Sequence, residues 1–257
     1  MSLKMRIEAV KPPEGAVAIF WLGQGGYVFK SPRGTVLYLD AYLSETGREL
    51  VRIAPIPILP EEVEAELILS SHDHLDHLDP VTVSRIASAN QKIKFGGSGT
   101  CAEHLKRLGI DEDRIVQMEQ GQTIEEGDFR ASAVFAEHGG GAQGYVFDCG
   151  GPVVYVTGDT TYEEELKEVA KFRPDILLVC INGKWGNMNA GEAAALAKEL
   201  EVKLAVPMHY GMFVNNTLDP QVFPKALEEQ GAGAKALLMA LAGGYIFDKD
   251  ANLVSWV

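Results

Sequence analysis

Short apolar runs separated by turn residues dominate the first third of the chain. Four of these runs predict strands, at 16–21, 27–30, 35–39 and 66–70. The proline-rich segment 54–60 fits neither a helix nor a central strand, because proline lacks the N–H group that both require. Asp79 followed by Pro80 is typical of a helix start and predicts a helix that ends near residue 88.

The second half of the chain alternates between strand-like and helix-like patterns. Strands are predicted at 93–95, 129–135, 145–148, 153–157, 176–181 and 203–207. Helices are predicted at 101–108, at 190–200, and from the capping-box spacing of Thr161 and Glu164 to about residue 171. Strands and helices mix along one chain, so we expect a single α/β (α+β) domain over 1–257.

Composition places the chain among ordinary globular proteins. Its 257 residues are 46% hydrophobic and 23% charged. The formal net charge of -13 argues against binding to nucleic acid or an anionic membrane, because no basic excess is present to neutralise phosphates. We expect a small-molecule substrate as the partner. The sequence leaves open whether the chain forms a homo-oligomer.

The three cysteines indicate a reducing compartment. Cys101, Cys149 and Cys180 are odd in number and have no CxxC spacing, so unpaired structural thiols are the simpler interpretation. The first residues contain no apolar run of signal-peptide length, and no apolar stretch of about 18 residues occurs along the chain. We therefore expect a cytoplasmic protein.

Five of the six histidines form one pattern. Segment 72–77 holds three imidazoles and two carboxylates, which are the groups that bind catalytic divalent metals through nitrogen and oxygen. His138 and His209 each follow a predicted strand. His104 lies inside a predicted helix, where a hydrogen-bonded structural histidine is the expected interpretation. The pattern indicates a metal enzyme.

The spacing within this pattern suits two metal ions better than one. His72 and His74 can face one ion with His138, whereas Asp76 and His77 aim at another spot that His209 would complete. Asp159 follows a strand and could bridge both ions, although capping the next helix is an equal alternative. The candidate ligands are His72, His74, Asp76, His77, His138, Asp159 and His209. Zinc, manganese and iron all suit such nitrogen and oxygen ligands.

Hydrolysis is the chemistry that such a pair of ions supports. A metal lowers the pKa of its bound water to about 7, so a bridging hydroxide could attack an ester, lactone or phosphodiester. Asp76 and Asp159 are the candidate catalytic carboxylates, Asp76 because its free oxygen could orient that hydroxide. Weaker candidates for supporting or substrate-binding roles are Gln24, Asp40, Arg52, Asp73, Asn182, Lys184 and Tyr210.

Three of the weaker candidates have specific alternatives. Asp40 could accept a hydrogen bond from a ligand histidine, which would fix the tautomer of that ring, or could be a plain turn residue. Lys184 or Arg52 could hold a substrate phosphate, or could be an ordinary surface charge.

The run His72-Asp73-His74-Leu75-Asp76-His77 resembles the HxHxDH signature of the metallo-β-lactamase superfamily. The later ligands of that superfamily match His138, Asp159 and His209 in order, so the resemblance extends from Trp21 to His209. It implies an αββα sandwich, with two sheets between outer helices and a dinuclear site along one sheet edge.

Within the superfamily, several segments look like the L-ascorbate-6-phosphate lactonase group. They are 21–25, 40–43, 52–60, 71–74 and 211–217. This similarity implies a phosphorylated sugar-acid lactone as substrate and favours manganese, whereas the wider superfamily favours zinc. Phosphodiesterases of the N-acyl-phosphatidylethanolamine phospholipase D type share a similar histidine run, so lipid or nucleotide phosphodiesters are an alternative. A metal-dependent sensor or binding module without catalysis is an alternative of another class.

Overall fold

Two β-sheets form the centre of the protein, in a computed structural model that describes residues 1–45 and 50–257. The strands are β1 (Ala16–Gly23), β2 (Gly26–Lys30), β3 (Val36–Leu39), β4 (Leu67–Leu69), β5 (Lys94–Gly97), β6 (Ile115–Gln117), β7 (Thr123–Glu126), β8 (Phe129–Phe135), β9 (Gln143–Asp148), β10 (Val154–Val156), β11 (Ile176–Cys180), β12 (Leu204–Met208), β13 (Lys235–Ala236), β14 (Gly244–Asp248) and β15 (Leu253–Trp256).

Five α-helices and three short 3-10 helices lie within the described ranges. The α-helices are α1 (Leu3–Ala9), α2 (Pro80–Ala89), α3 (Gly99–Arg107), α4 (Ala190–Glu199) and α5 (Val222–Gln230). The 3-10 helices are Pro60–Glu62, Glu112–Arg114 and Glu164–Phe172. None of these described helices has the length and apolar character that a membrane crossing requires.

Each sheet combines antiparallel and parallel strands. The first has the order β15-β14-β1-β2-β3-β4-β5-β6, and its strands from β3 to β6 are parallel. The second has the order β13-β12-β11-β10-β9-β8-β7, and its strands from β10 to β13 are parallel. Parallel strands end at the same edge of a sheet, so the loops after β10 and β12 lie at one edge of the second sheet, where the loop after β4 of the first sheet meets them.

Alternating side chains of β1 show how the layers pack. Val17, Ile19 and Trp21 belong to the core shared with the second sheet. Their neighbours Ala18 and Phe20 belong to a separate core that includes residues of α1, α2 and α3. Residues of α4 and α5 pack on the second sheet within the first of these cores. The order of layers is therefore helix, sheet, sheet, helix, as the resemblance implied.

Several predicted elements are confirmed with close boundaries. Strand β8 covers the residues predicted for it, and the strands predicted at 145–148 and 153–157 are β9 and β10, which pair antiparallel. The helix predicted after Asp79 is α2, where the Asp79 carboxylate accepts hydrogen bonds from the N–H groups of Val81 and Thr82. The sequence did not identify α1, α5, β6, β7 or the strands from β13 to β15.

The capping box predicted at Thr161 was wrong. The helix there begins at Glu164, three residues later than predicted, and is of the 3-10 type. Backbone N–H of Thr161 instead donates to the carbonyl of Glu137 at 3.0 Å. This bond holds Thr161 against the loop that carries His138. The N–H group of Thr161 is therefore already engaged and does not take part in a capping box.

Candidate metal centre

A tight turn after β4 points the side chains of the histidine run in two directions. The N–H groups of His77 and Leu78 both donate to the carbonyl of His74, at 3.0 and 2.8 Å. The hydroxyl of Ser70 donates to the carbonyl of His77 at 3.1 Å and closes the turn. The chain therefore reverses between His74 and His77, so their side chains can serve different ions.

Three histidines form a first group, which we define as His72, His74 and His138. Nε2 of His72 lies 2.8 Å from Nδ1 of His74, and Nε2 of His138 lies 3.3 Å from the same atom. These nitrogens lie within 4.8 Å of one another, close enough to share one metal ion. Nδ1 of His138 lies 3.3 Å from the carbonyl of Gly186, which accepts its proton and leaves Nε2 free for a metal.

A second group consists of Asp76, His77 and His209, whose ligand atoms also lie within 4.8 Å of one another. Nε2 of His77 is 3.6 Å from Oδ2 of Asp76. His77 and His209 are fully buried, and their rings stack with centroids 5.3 Å apart. Two of the groups contain the ligand sets expected from the sequence, and a third group, His72, His77 and Asp159, takes one histidine from each.

Asp159 lies between the two groups. Its Oδ1 is 2.7 Å from Nε2 of His209 and 3.5 Å from Nε2 of His77. Its Oδ2 is 3.8 Å from Nε2 of His138 in the first group. One carboxylate oxygen therefore faces each group. Since the next helix begins only at Glu164, this arrangement favours the bridging interpretation over the helix cap.

Three buried atoms of this cluster test whether it suits a metal. Within the described residues, Nε2 of His77, Nε2 of His209 and Oδ1 of Asp159 have no partner with hydrogen-bond geometry. A buried polar atom without a partner is costly, so native proteins rarely leave one unsatisfied. All three are candidate ligand atoms that converge on one place. A divalent cation there would satisfy them together, so the residues fit the metal that the sequence implies.

The absence of a side chain at Gly25 leaves room beside the second group. A Cβ atom at this position would lie 3.2 Å from Cε1 of His77 and 3.3 Å from Nε2 of His209. It would also lie 3.4 Å from Oδ2 of Asp40. The glycine therefore keeps open the space beside Cε1 of His77 and Nε2 of His209.

Burial and neighbouring charges shift the pKa values of these histidines in different directions. Burial and the neighbouring His77 hold the pKa of His72 far below its ordinary value, and burial with the neighbouring His138 lowers the pKa of His74. Neutral imidazoles are the form that binds metal. Burial also opposes charge on His77, but the nearby carboxylates of Asp40 and Asp159 raise its pKa well above the ordinary value.

Asp159 shows the complementary effect. Burial alone would raise its pKa, yet the attraction of His209 and His77 lowers it well below the ordinary value. The lowered pKa keeps the Asp159 carboxylate ionised beside the imidazoles of His209 and His77. The cluster thus concentrates negative charge around nitrogens whose protons a metal ion would replace.

Asp40 makes the predicted hydrogen bond to a ligand-type histidine. Its Oδ2 accepts the proton of His77 Nδ1 at 2.7 Å, which directs Nε2 of that ring toward Asp159. Ser71 donates to the same carboxylate twice, from its N–H at 2.7 Å and from its hydroxyl at 2.8 Å. The sequence reasoning missed Ser71, although its place directly before His72 was the available signal.

Gln24 contacts two members of the second group. Its side-chain amide nitrogen lies 3.2 Å from Oδ2 of Asp76 and 3.0 Å from Nδ1 of His209. His209 can offer Nε2 to a metal only when Nδ1 carries the proton. The amide oxygen of Gln24 would then have to face that proton, so metal binding requires this amide to turn over.

Asp73 points away from both groups. Its carboxylate is hydrogen-bonded to Nδ1 of His104, and Arg107 lies 3.7 Å from its other oxygen. His104 is therefore the hydrogen-bonded structural histidine that the sequence predicted. The pair ties α3 to the turn that holds the histidine run.

Neither candidate for holding a substrate phosphate lies in the cluster. The guanidinium of Arg52 donates to four backbone carbonyls, those of Tyr42, Ser44, Ala54 and Pro55. Its donors therefore hold the proline-rich segment in shape. Lys184 is exposed, and its ammonium lies 3.4 Å from the carbonyl of Asn215.

Tyr210 and Asn182 also have their own partners. The hydroxyl of Tyr210 donates to the carbonyl of Met239 at 3.3 Å, and its ring packs on Trp21 with centroids 4.8 Å apart. The amide nitrogen of Asn182 donates to Oδ1 of Asn216 at 2.9 Å. These contacts place Tyr210 in the core and Asn182 beside the segment that follows His209.

Asn187 is a neighbour of the cluster that the sequence reasoning missed. It is buried, and its amide nitrogen donates to Oδ2 of Asp159 at 2.9 Å. The loop after β11 was already singled out for Asn182 and Lys184, so its position was the available signal. Its side chain could be assigned to Asp159 only once the fold had brought the two loops together.

Comparison with known proteins agrees with this geometry. Residues 35–210 match the family described as beta-lactamase superfamily domain. A UPF0173 metal-dependent hydrolase from Anaeromyxobacter sp. (strain K) is 30% identical over 237 residues, which cover 85% of this chain and 83% of that relative.

Two solved structures share the fold. Igni18, a metallo hydrolase from Ignicoccus hospitalis KIN4/I, has a TM-score of 0.73 at 22% identity, covering 91% of this chain and 99% of that chain. An isothiocyanate hydrolase from Delia radicum gut bacteria has a TM-score of 0.74 at 17% identity, covering 90% and 99%. At such identities these likenesses establish the α+β sandwich alone. The sequence matches show that the protein belongs to the metallo-β-lactamase superfamily, within the UPF0173 family of metal-dependent hydrolases.

Proposed function

We propose that the protein is a hydrolase that holds two divalent metal ions and opens a lactone of a small sugar acid. The observation that carries the metal part is the convergence of three buried ligand atoms without hydrogen-bond geometry: Oδ1 of Asp159 lies 2.7 Å from Nε2 of His209 and 3.5 Å from Nε2 of His77. His72, His74 and His138 would hold one ion, and Asp76, His77 and His209 the other, with Asp159 between them. Manganese and zinc both suit this set of donors.

The metals would act as Lewis acids on the carbonyl and supply a water of lowered pKa. The chain itself provides the orientation of the ligands. Asp40 fixes the tautomer of His77, and the Gly186 carbonyl does the same for His138. The Asp76 carboxylate is partly exposed, so its oxygen is available to accept a proton from the attacking water.

The lactone part of the proposal is supported by where two segments meet. Segment 52–60, which includes the proline-rich stretch, and segment 211–217 after His209 both resemble those of the lactonase group. They pair with each other, through an antiparallel bridge between Arg52 and Phe213 and a hydrogen bond from Ile53 N–H to the carbonyl of Met212 at 2.8 Å. These two paired segments form a ribbon. Because one of its strands follows His209 directly, the ribbon is suited to form one wall of the substrate site.

The contacts of Arg52 narrow how a phosphorylated substrate could bind. Because its guanidinium is committed to backbone carbonyls, it is not available as a clamp for a phosphate. Lys184 remains the candidate for that role, since its ammonium is exposed beside the same ribbon. We therefore propose that an uncharged sugar-acid lactone is hydrolysed as well as a phosphorylated one.

A substrate panel tests this proposal. Purified protein is given Mn²⁺ or Zn²⁺ and assayed against sugar-acid lactones, their phosphorylated forms and the phosphodiester bis-p-nitrophenyl phosphate. We expect lactone hydrolysis to exceed phosphodiester hydrolysis. Turnover of the phosphodiester alone would replace the lactone with a phosphodiester substrate. Loss of both activities in a protein that still binds metal would indicate a sensor or binding module.

A further inference from the structure

One short loop, 183–188, contacts two of the candidate ligands at once. An antiparallel bridge between Asn182 and Asn189 closes its base, and the N–H of Gly183 donates to the carbonyl of Met188 at 3.0 Å. The N–H of Met188 donates to the carbonyl of Thr160 at 2.8 Å, which fixes the loop beside the residue that follows Asp159. The loop is thus held firmly against the segment after β10.

Two groups of this loop reach candidate ligands that come from other strands. The carbonyl of Gly186 lies 3.3 Å from Nδ1 of His138, and the amide nitrogen of Asn187 donates to Oδ2 of Asp159 at 2.9 Å. Both side chains, Asn187 and Asp159, are buried, so water competes little for this bond. Asn187 therefore acts on the one carboxylate that faces both groups.

The bond from Asn187 determines which way the Asp159 carboxylate is turned. With Oδ2 held by the amide, Oδ1 is left 2.7 Å from Nε2 of His209 in the second group. Within the described residues, the other end of the amide, Oδ1 of Asn187, has no hydrogen-bond partner. The contact to Asp159 is thus the side-chain hydrogen bond that orients this amide, and the same bond orients the carboxylate.

We propose that Asn187 is a positioning residue that keeps Asp159 between the two ion sites and thereby sets the affinity for the second metal ion. A carboxylate that bridges two ions through both of its oxygens must turn one oxygen toward each ion. Without the amide, Asp159 can rotate and direct both oxygens toward one ion, which would leave the other with one ligand fewer. This inference rests on the proposed dinuclear site.

Cobalt binding tests the role of Asn187 without relying on activity. Metal-free wild type, Asn187→Ala and Asn189→Ala are titrated with Co²⁺, and affinities are measured by competition with a chelator. We expect wild type to bind two equivalents. Asn187→Ala should keep the first and bind the second about 10- to 100-fold more weakly, the range found when partners of metal ligands are removed.

Asn189→Ala is the matched control, because Asn189 caps α4 by accepting from the N–H groups of Gly191 and Glu192. It should lower the melting temperature while leaving both cobalt affinities unchanged. If Asn187→Ala does not fold, Asn187→Ser, which retains a shorter donor, takes its place and should also weaken the second equivalent.

Three outcomes overturn the inference, and they can be told apart. Two equivalents bound by Asn187→Ala with wild-type affinities would remove the positioning role while leaving the dinuclear proposal intact. An equal loss of cobalt affinity in Asn189→Ala would assign the effect to the stability of the loop. Fewer than two equivalents in wild type would overturn the proposed dinuclear function and this inference with it.

Discussion

Asp40 Oδ2 accepts the Nδ1 proton of His77 at 2.7 Å, and this bond turns Nε2 of the buried ring toward the metal cluster. Asp40 has a left-handed backbone, with φ of 48°, at the end of β3. This conformation is uncommon for residues other than glycine, asparagine and aspartate. This backbone conformation places the Asp40 carboxylate where it fixes the tautomer of His77, a candidate metal ligand.

Asp40→Asn is therefore expected to weaken metal binding. The carboxylate accepts from Ser71 and His77 through both oxygens, whereas an amide offers one acceptor oxygen and faces the remaining donor with its NH₂ group. We expect affinity for the second ion to fall about 10- to 100-fold in a chelator competition assay. Asp128→Asn is the control, since Asp128 contacts Ser31 and not the cluster. An unchanged affinity in Asp40→Asn would contradict the assigned role.

Gly25→Ala tests the space beside the second group. The added methyl would lie 3.2 Å from His77 and 3.3 Å from His209, so one of these rings must shift by a few tenths of an ångström. Small displacements of ligands are poorly tolerated, and we expect weaker binding of the second metal with a nearly unchanged melting temperature of the metal-free protein. The measurement is a Zn²⁺ titration of the metal-free variant.

Gly233→Ala is a matched control for this substitution, because a methyl there meets nothing within 4 Å. It should bind zinc as wild type does. If Gly25→Ala also binds both equivalents normally, the ring nitrogens do not point into the space that Gly25 leaves open.

The sequence could group the candidate ligands because their spacing reflects local structure. His72 to His77 fall in one turn, and His138, Asp159 and His209 each follow a strand, so reasoning from strand ends brought them together. The structure places all of these residues in one cluster. Asn187 and Ser71 could not be assigned in this way, because their hydrogen bonds join loops that become neighbours only in the folded protein.

The same limit explains where the prediction of fold and site fell short. β14 pairs with β1, although more than 200 residues separate them along the chain, and no local pattern identifies that partner. Arg52 looks in sequence like an available cation, but folding surrounds its guanidinium with backbone carbonyls. Thr161 has capping-box spacing, yet a hydrogen bond to Glu137 occupies its N–H group. In each case a long-range contact decides the outcome.

The three thiols are expected to be unreactive in the folded protein. Burial raises the pKa of Cys101 to about 11 and those of Cys149 and Cys180 to about 12, so all three are protonated near pH 7.5. Because the thiolate is the nucleophile, reaction with a disulfide reagent such as DTNB should be on the order of a hundredfold slower than in guanidinium. A native cysteine that reacts at the unfolded rate would show an accessible thiolate instead.

The pKa values of these thiols also determine in which direction the stability of the protein changes with pH. The folded state holds their protons more tightly than the unfolded chain, whose thiols ionise near the ordinary value of 9.0. Their contribution to stability is therefore fully present below pH 9 and should decline as the pH rises toward 12. The free energy of unfolding, measured in urea between pH 7 and pH 10.5, should fall at the upper end.

Elemental analysis of the purified protein after re-addition of Mn²⁺ or Zn²⁺ and removal of excess metal tests the central claim most directly. We expect two metal equivalents per chain in wild type, and fewer in Asp159→Ala, because that substitution removes the carboxylate that faces both groups. The metal-free protein should also melt at a lower temperature, since a ligand that binds only the folded state stabilises it. Wild type that retains no metal, or an Asp159→Ala variant that retains both equivalents, would contradict the account.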